Sequence, residues 1–153
     1  MSNFTDSLLV NHLGAKHEFK GMWELQRDLV YFIGEEGSCE RVTLKAGFIT
    51  DGGSYSDWIV PLIGSQTGDF FESYALHDGL ARRPDLVTWA KFNKVLYEAL
   101  AIQGMSSARI RRVRMGLFFG SPTKEPKLLH NALEFVELDT VEVIRTVIED
   151  VAK

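Results

Sequence analysis

Cysteine is nearly missing from this chain, with Cys39 the single example. One thiol can close no internal disulfide and can build neither a thiolate zinc site nor a disulfide framework, which fits a reducing cytoplasm. Proline is scarce as well, at four residues in 153, and the four are too scattered to mark a linker between domains. No run of 18 apolar residues occurs, and the start MSNFTDSLLVNHLG has no basic region followed by an apolar one, so neither a membrane span nor an export signal is expected. Positive charge is not in excess: 17 Lys and Arg stand against 21 Asp and Glu, a net charge of −4. That balance disfavours a surface built as a whole to hold nucleic acid, while leaving room for a local basic patch.

What is present is the makeup of a packed globular domain, with 45% hydrophobic and 25% charged residues. A chain of this length buries about two-thirds of its unfolded surface on folding and needs no staples. A single domain over residues 1–153 is expected. MWELQRDLVYFI at 22–33 is rich in aromatic and β-branched residues, GEEG at 34–37 is a turn signal, and CERVTLKAGFIT follows. This is the pattern of a β-hairpin. Val42, Leu44 and Ala46 alternate with Arg41, Thr43 and Lys45, the period of a half-buried strand, which the Asp51-Gly52-Gly53 turn would end.

Past that turn the period changes to that of helices. Thr67 can cap a helix with Phe70, Tyr74, His77 and Ala81 on one face, stopped by Pro84. Trp89, Phe92, Leu96, Ala99 and Leu100 mark a second helix closed by Gly104, and Ser106 opens a third that runs to Gly120. SPTKEP is a loop, then comes a short apolar segment and a helix from about residue 139 with Val141, Ile144, Val147 or Ile148, and Val151 as its apolar stripe. The expected class is α+β: an N-terminal hairpin or small sheet packed on three consecutive helices, with a C-terminal helix. Trp23, Trp58 and Trp89 are expected to anchor the core.

Two stretches carry candidate chemistry: GFITDGGS at 47–54 and YALHDGLARR at 74–83. A neutral histidine can activate water as a general base when a polar group orients its ring and something stabilises the developing negative charge. His77 is the candidate base, and Asp51 on the preceding turn can orient it or ligate a cation. Asp78 lies about 100° round the helix from His77, so it is placed for a cation or for Arg82 at i+4. Gly52 and Gly53 can offer backbone groups to a hard cation such as calcium or magnesium, or to an anion, and Ser54 can meet a substrate. Each residue also has a plain structural role: a buried histidine bonded to a neighbour, an ion pair with Arg82, an Asx turn at Asp51. A glycine-rich loop before a His-Asp helix distantly resembles the secreted phospholipases, although the disulfides of that group are missing here.

The ordered set of motifs resembles a phage and prophage family known as a domain of unknown function, number 1353. Its Trp-x-Leu strand, Gly-Phe-x-Thr-Asp-Gly-Ala-Ser-x-Pro turn and His-Asp-x-Leu-Tyr helix correspond to Trp23-Glu24-Leu25, to the stretch Gly47 to Ser54, and to His77-Asp78-Gly79-Leu80. Its Ala-Asp helix and closing basic helix correspond to the stretch bearing Asn93 and to Arg109 through Gly120. The resemblance covers roughly residues 4 to 120 and leaves 121–153 outside. Three positions depart from the pattern: Ser56 or its neighbourhood replaces proline, Ala81 replaces tyrosine and Asn93 replaces aspartate.

The resemblance implies phage origin, hence a place in the host cytoplasm or the virion, with virion proteins or further copies of the chain as partners. Three functions are open: a metal-assisted hydrolase with a His77/Asp51 pocket, a non-enzymatic virion or assembly accessory, and an inhibitor of a host protein. A separate surface is offered by Arg109, Arg111, Arg112 and Arg114. They can meet phosphates or a protein partner, but the acidic residues Glu134, Glu137, Asp139 and Glu142 can cover them, which disfavours nucleic acid.

Overall fold

The computed structural model describes residue 4 and residues 7–14, 22–34, 40–50, 69–120 and 132–139. Its strands form two three-stranded antiparallel sheets. The first is ordered β1 (Val10–His12), β2 (Trp23–Leu25), β5 (Ile49–Thr50), and the second β3 (Leu29–Phe32), β4 (Arg41–Leu44), β6 (Val136–Asp139). Three helices follow the first five strands: α1 (Phe71–Ala81), α2 (Trp89–Ile102) and α3 (Ser107–Gly120). A short α4 (Ala132–Phe135) leads into β6. The class is α+β, strands before helices.

The expected hairpin is β3–β4, in register from Leu29↔Leu44 to Phe32↔Arg41. The sequence reading took 22–33 as one strand, and the structure divides it between the two sheets. Arg27 and Asp28 sit at the division: the Arg27 guanidinium donates to the Ser7 carbonyl at 2.6 Å, and Asp28 Oδ1 accepts from the Ala46 amide at 2.8 Å. A second division falls inside VTLKAGFIT. The chain turns over residues 45–48 with Gly47 at φ 95°, where other residues are strained, and Ala46 is exposed instead of continuing the buried row. Beyond the turn the chain enters the other sheet as β5. The Asp51–Gly53 turn lies outside the described residues.

Helix α1 is the centre of the molecule. Phe71, Ala75, Leu76 and Leu80 join Leu25, Leu29, Val42, Leu44 and Phe48 in the main core, while Tyr74 faces a second cluster with Leu96, Leu100, Val113 and Leu117. Buried on two sides and carrying Ser73 and Asp78 among its buried residues, α1 shows little of the one-sided apolar stripe of a surface helix. Gly79 lets it come close to the second sheet, for a Cβ there would stand 2.5 Å from Leu44 Cδ2. Phe70 precedes α1 without a side-chain cap, and Thr67 lies outside the described residues. Helices α2 and α3 form as expected, with Thr88 Oγ1 accepting from the Lys91 amide and Ser106 Oγ from the Arg109 amide. Gly104 closes α2 at φ 93°.

Of the three tryptophans, Trp23 packs edge-on against Phe71 and Trp58 is outside the described residues. Trp89 departs from the expectation of a core anchor: it is 54% exposed, because it is the first residue of α2 and points outward beside its cap. The C-terminal part departs too, since VELD at 136–139 is a strand paired along β4. The helix expected from about residue 139 lies outside the described residues from 140 on.

Candidate functional site

Strand β5 delivers Thr50 to the flank of α1, and a buried polar knot forms there. Thr50 Oγ1 donates to Asp78 Oδ2 at 2.7 Å, and the same oxygen receives Arg82 across one helical turn at 2.9 Å. Arg82 donates a further hydrogen bond to the Ile49 carbonyl at 2.8 Å and lies over the Phe48 ring, 5.2 Å from its centroid. Side chains 78 and 82 are each only 6% exposed. Two charges removed from water this far need each other and good hydrogen bonds, and they have both except at Arg82 Nε, which finds no partner among the described residues. The ion-pair role of Asp78 is therefore the one its geometry fills, and Arg82 carries the tie on to the strand.

His77, the next residue along, faces elsewhere. It is half-buried, its Nε2 lies 2.9 Å from Asn93 Oδ1 on α2, and its ring meets Phe92 edge-on at 5.1 Å between centroids. Read as Nε2–H donating to the amide oxygen, the contact leaves Nδ1 as the bare nitrogen. Burial pushes the imidazole pKa below its ordinary value, and the bond to Asn93 opposes that shift more weakly. His77 is thus neutral at physiological pH with its ring held from one side, the state a general base requires. Asn93 is 4% exposed, and its Nδ2 finds no hydrogen-bond partner among the described residues.

Asp51, Gly52, Gly53 and Ser54 lie outside the described residues, so Asp51 is not placed relative to His77. Among the described residues no three His, Cys, Asp or Glu side chains come together as a metal site. Asn93 is the residue that reading by sequence undervalued: it stands out there only as a departure from a motif, while the structure makes it the partner of His77. Its signal was the facing of two consecutive helices, which gives little warning of which side chains meet.

The arginines of α3 separate into two pairs. Arg109 lies over the Phe70 ring at 5.1 Å and Arg114 over the Tyr97 ring at 4.7 Å, while Arg111 and Arg112 are exposed. Two of the acidic residues expected to cover them are used elsewhere. Asp139 pairs with Arg41 at 2.6 Å and Glu137 with Lys45 at 2.5 Å, because β6 runs beside β4. Glu142 lies outside the described residues.

An α+β domain in which a glycine-turn strand is tied to a buried His-Asp helix, with a basic helix after it, is the class of protein this arrangement defines. The family described as "Protein of unknown function (DUF1353)" matches residues 23–115, more than half of the chain, and the chain belongs to that family. Comparison with curated proteins and with solved structures gives no match. No helix among the described residues is long and apolar enough to cross a membrane.

Proposed function

We propose that the chain is a phage-type protein with a hydrolytic site centred on His77. The observation that carries this reading is the His77–Asn93 pair, a neutral imidazole fixed at one nitrogen by a buried amide. In the reaction His77 takes a proton from water at its bare nitrogen as the water oxygen bonds to the electrophilic centre, then passes that proton to the leaving group as its bond to the centre breaks, and Asn93 holds the ring in the required tautomer. Asp51 is assigned to a divalent cation such as calcium or magnesium, the backbone groups of Gly52 and Gly53 to that cation or to the developing negative charge, and Ser54 to the substrate. Asp78 keeps a structural part, holding the strand that leads into this turn. The test is turnover of ester, amide, phosphodiester and glycoside chromogenic substrates, with and without calcium or magnesium, by the full chain and by His77→Gln. A general base contributes about 10²- to 10⁴-fold, so the variant should lose at least ~100-fold at an unchanged melting temperature. Equal rates in the two proteins on every substrate would remove the enzyme reading.

A second reading, a non-enzymatic virion or assembly component, has its own support. Met115 on α3 is 57% exposed, which suits a surface made to meet another chain. On this reading the protein is found in purified particles in fixed stoichiometry, and His77→Gln leaves assembly intact.

A further inference from the structure

Helix α3 carries Arg109, Arg111, Arg112 and Arg114 and has no acidic residue in SARIRRVRMGLFFG. Its buried side is Ile110, Val113 and Leu117, packed with Leu96 and Leu100 of α2. At about 100° per residue, the midline of the opposite side runs through Ala108 and Met115, both exposed. Arg111 stands about 50° to one side of that ridge and Arg112 about 50° to the other, and both are exposed. Arg114 and Arg109 continue the two rows, each about 110° from the ridge. The arginines thus flank a low apolar ridge on both sides. Among the described residues Arg111, Arg112 and Arg114 make no ion pair. Asp139 and Glu137, two acids that could have covered them, are engaged on β4 with Arg41 and Lys45.

We propose that α3 lies in the major groove of a DNA duplex, with Arg111 and Arg114 on the phosphates of one strand and Arg112 on those of the other. Phosphate oxygens line both edges of a groove, and cations on both sides of a ridge let one helix meet both edges at once. The B-form major groove is about 12 Å wide and admits an α-helix about 10–12 Å across, whereas the A-form groove of duplex RNA is too narrow. All the cations are arginine, whose planar fork meets phosphate oxygens in pairs. The Tyr97 ring, 4.7 Å from the Arg114 guanidinium, covers one face of it, fixes the direction of the side chain and leaves N–H edges for a phosphate. Ala108 and Met115 offer base edges no hydrogen bond, so binding is to the backbone and indifferent to sequence. A membrane surface fits worse, because the apolar side of this helix is already packed on the core. The net charge of −4 gives no long-range attraction to DNA, so the contact rests on these few arginines and breaks at modest salt.

The experiment is fluorescence anisotropy of a labelled DNA duplex of roughly 20 base pairs, two helical turns, titrated with the full chain between about 50 and 200 mM salt. An RNA duplex of the same sequence is run beside it. Three phosphate contacts give log K a slope against log salt of about −2.7, a ~40-fold loss of affinity across that range. Arg111→Gln and Arg112→Gln should each bring the slope to about −1.8 at an unchanged melting temperature, since neither side chain belongs to a core cluster. DNA duplexes of unrelated sequence should bind alike, and the RNA duplex more weakly. No binding to the DNA duplex at the lowest salt overturns the inference and leaves the ridge to a protein partner. So does a slope that both variants leave unchanged, an RNA duplex bound as tightly as DNA, or poly-glutamate that displaces the duplex as well, charge for charge, as unlabelled DNA.

Discussion

His77 and Asp78 are neighbours in sequence that serve different surroundings, because successive residues of a helix point about 100° apart. Asp78 is held by Thr50 and Arg82, so its removal tests the knot. Asp78→Asn leaves the Arg82 charge buried without its carboxylate, a loss of about 3–5 kcal/mol. In a chain of this size that is a fall in melting temperature of roughly 10 °C. A shift within the error of calorimetry would mean that Arg82 relaxes to solvent and that the knot holds nothing. The i,i+4 spacing made this pair legible in the sequence. The part played by Thr50 was not, since it depends on which strand end the fold brings to α1. For His77 the sign of the pH effect follows from its lowered pKa. Above about pH 6.5, the ordinary histidine value, native and unfolded chains both hold it neutral and it contributes no pH dependence. Below that pH the unfolded chain takes up a proton that the native chain resists, so stability falls as the pH drops toward the lowered native pKa. The difference in unfolding free energy between the native chain and His77→Gln should therefore be constant above neutrality and move against the native chain as the pH falls below about 6.5. A difference independent of pH would show that the ring is not kept neutral by burial.

Among the elements, helices α2 and α3 were readable because their stops and starts are local: Thr88, Gly104 and Ser106 act within a few residues of where they stand. The hairpin was readable for the same local reason. The sheets were not, because β2 and β3 join different sheets across a bend of three residues and β6 finds β4 from far along the chain. Gly47 was the available clue, since a glycine inside a strand pattern marks a break or a close approach. It is both here: φ is 95°, and a Cβ would stand 2.7 Å from Phe135 Cε1. Gly79 carries a sharper prediction, because alanine is the better helix former by about 1 kcal/mol and propensity alone says Gly79→Ala should stabilise α1. A Cβ there would stand 2.5 Å from Leu44 Cδ2, and Leu44 is 0% exposed with no room to withdraw. Overpacking should win, with a net loss of about 1–3 kcal/mol in denaturant unfolding. Leu44→Ala in the same chain should make the two changes markedly less than additive. Strict additivity would place the strain elsewhere.

At the scale of the whole molecule, the family match and the folded unit do not have the same limits. The match spans residues 23–115, from β2 into α3, and leaves out one strand of each sheet: β1, paired to β2, and β6, paired to β4. The second omission is the graver. Val136 is fully buried in the main core, Arg83 donates to its carbonyl at 2.7 Å, the Lys45 amide donates to the Phe135 carbonyl at 2.8 Å, and Arg41 pairs with Asp139. The resemblance read from the sequence leaves residues 121–153 outside and no strand was expected there, because four residues of VELD carry too weak a strand pattern to announce a partner some ninety residues upstream. The structure changes what truncation should do. A chain ending at residue 139 keeps both sheets and should unfold cooperatively. One ending at residue 131 strips β4 of a neighbour and opens the core at Val136, and a fragment of residues 23–115 loses β1 as well. Neither should show a cooperative thermal transition, and both should bind a hydrophobic dye or precipitate, since the apolar faces that β6 covers would stand in water. Calorimetry of the three truncations decides it: if residues 23–115 alone melt as sharply and as high as the full chain, β6 is an accessory to a core that is complete without it.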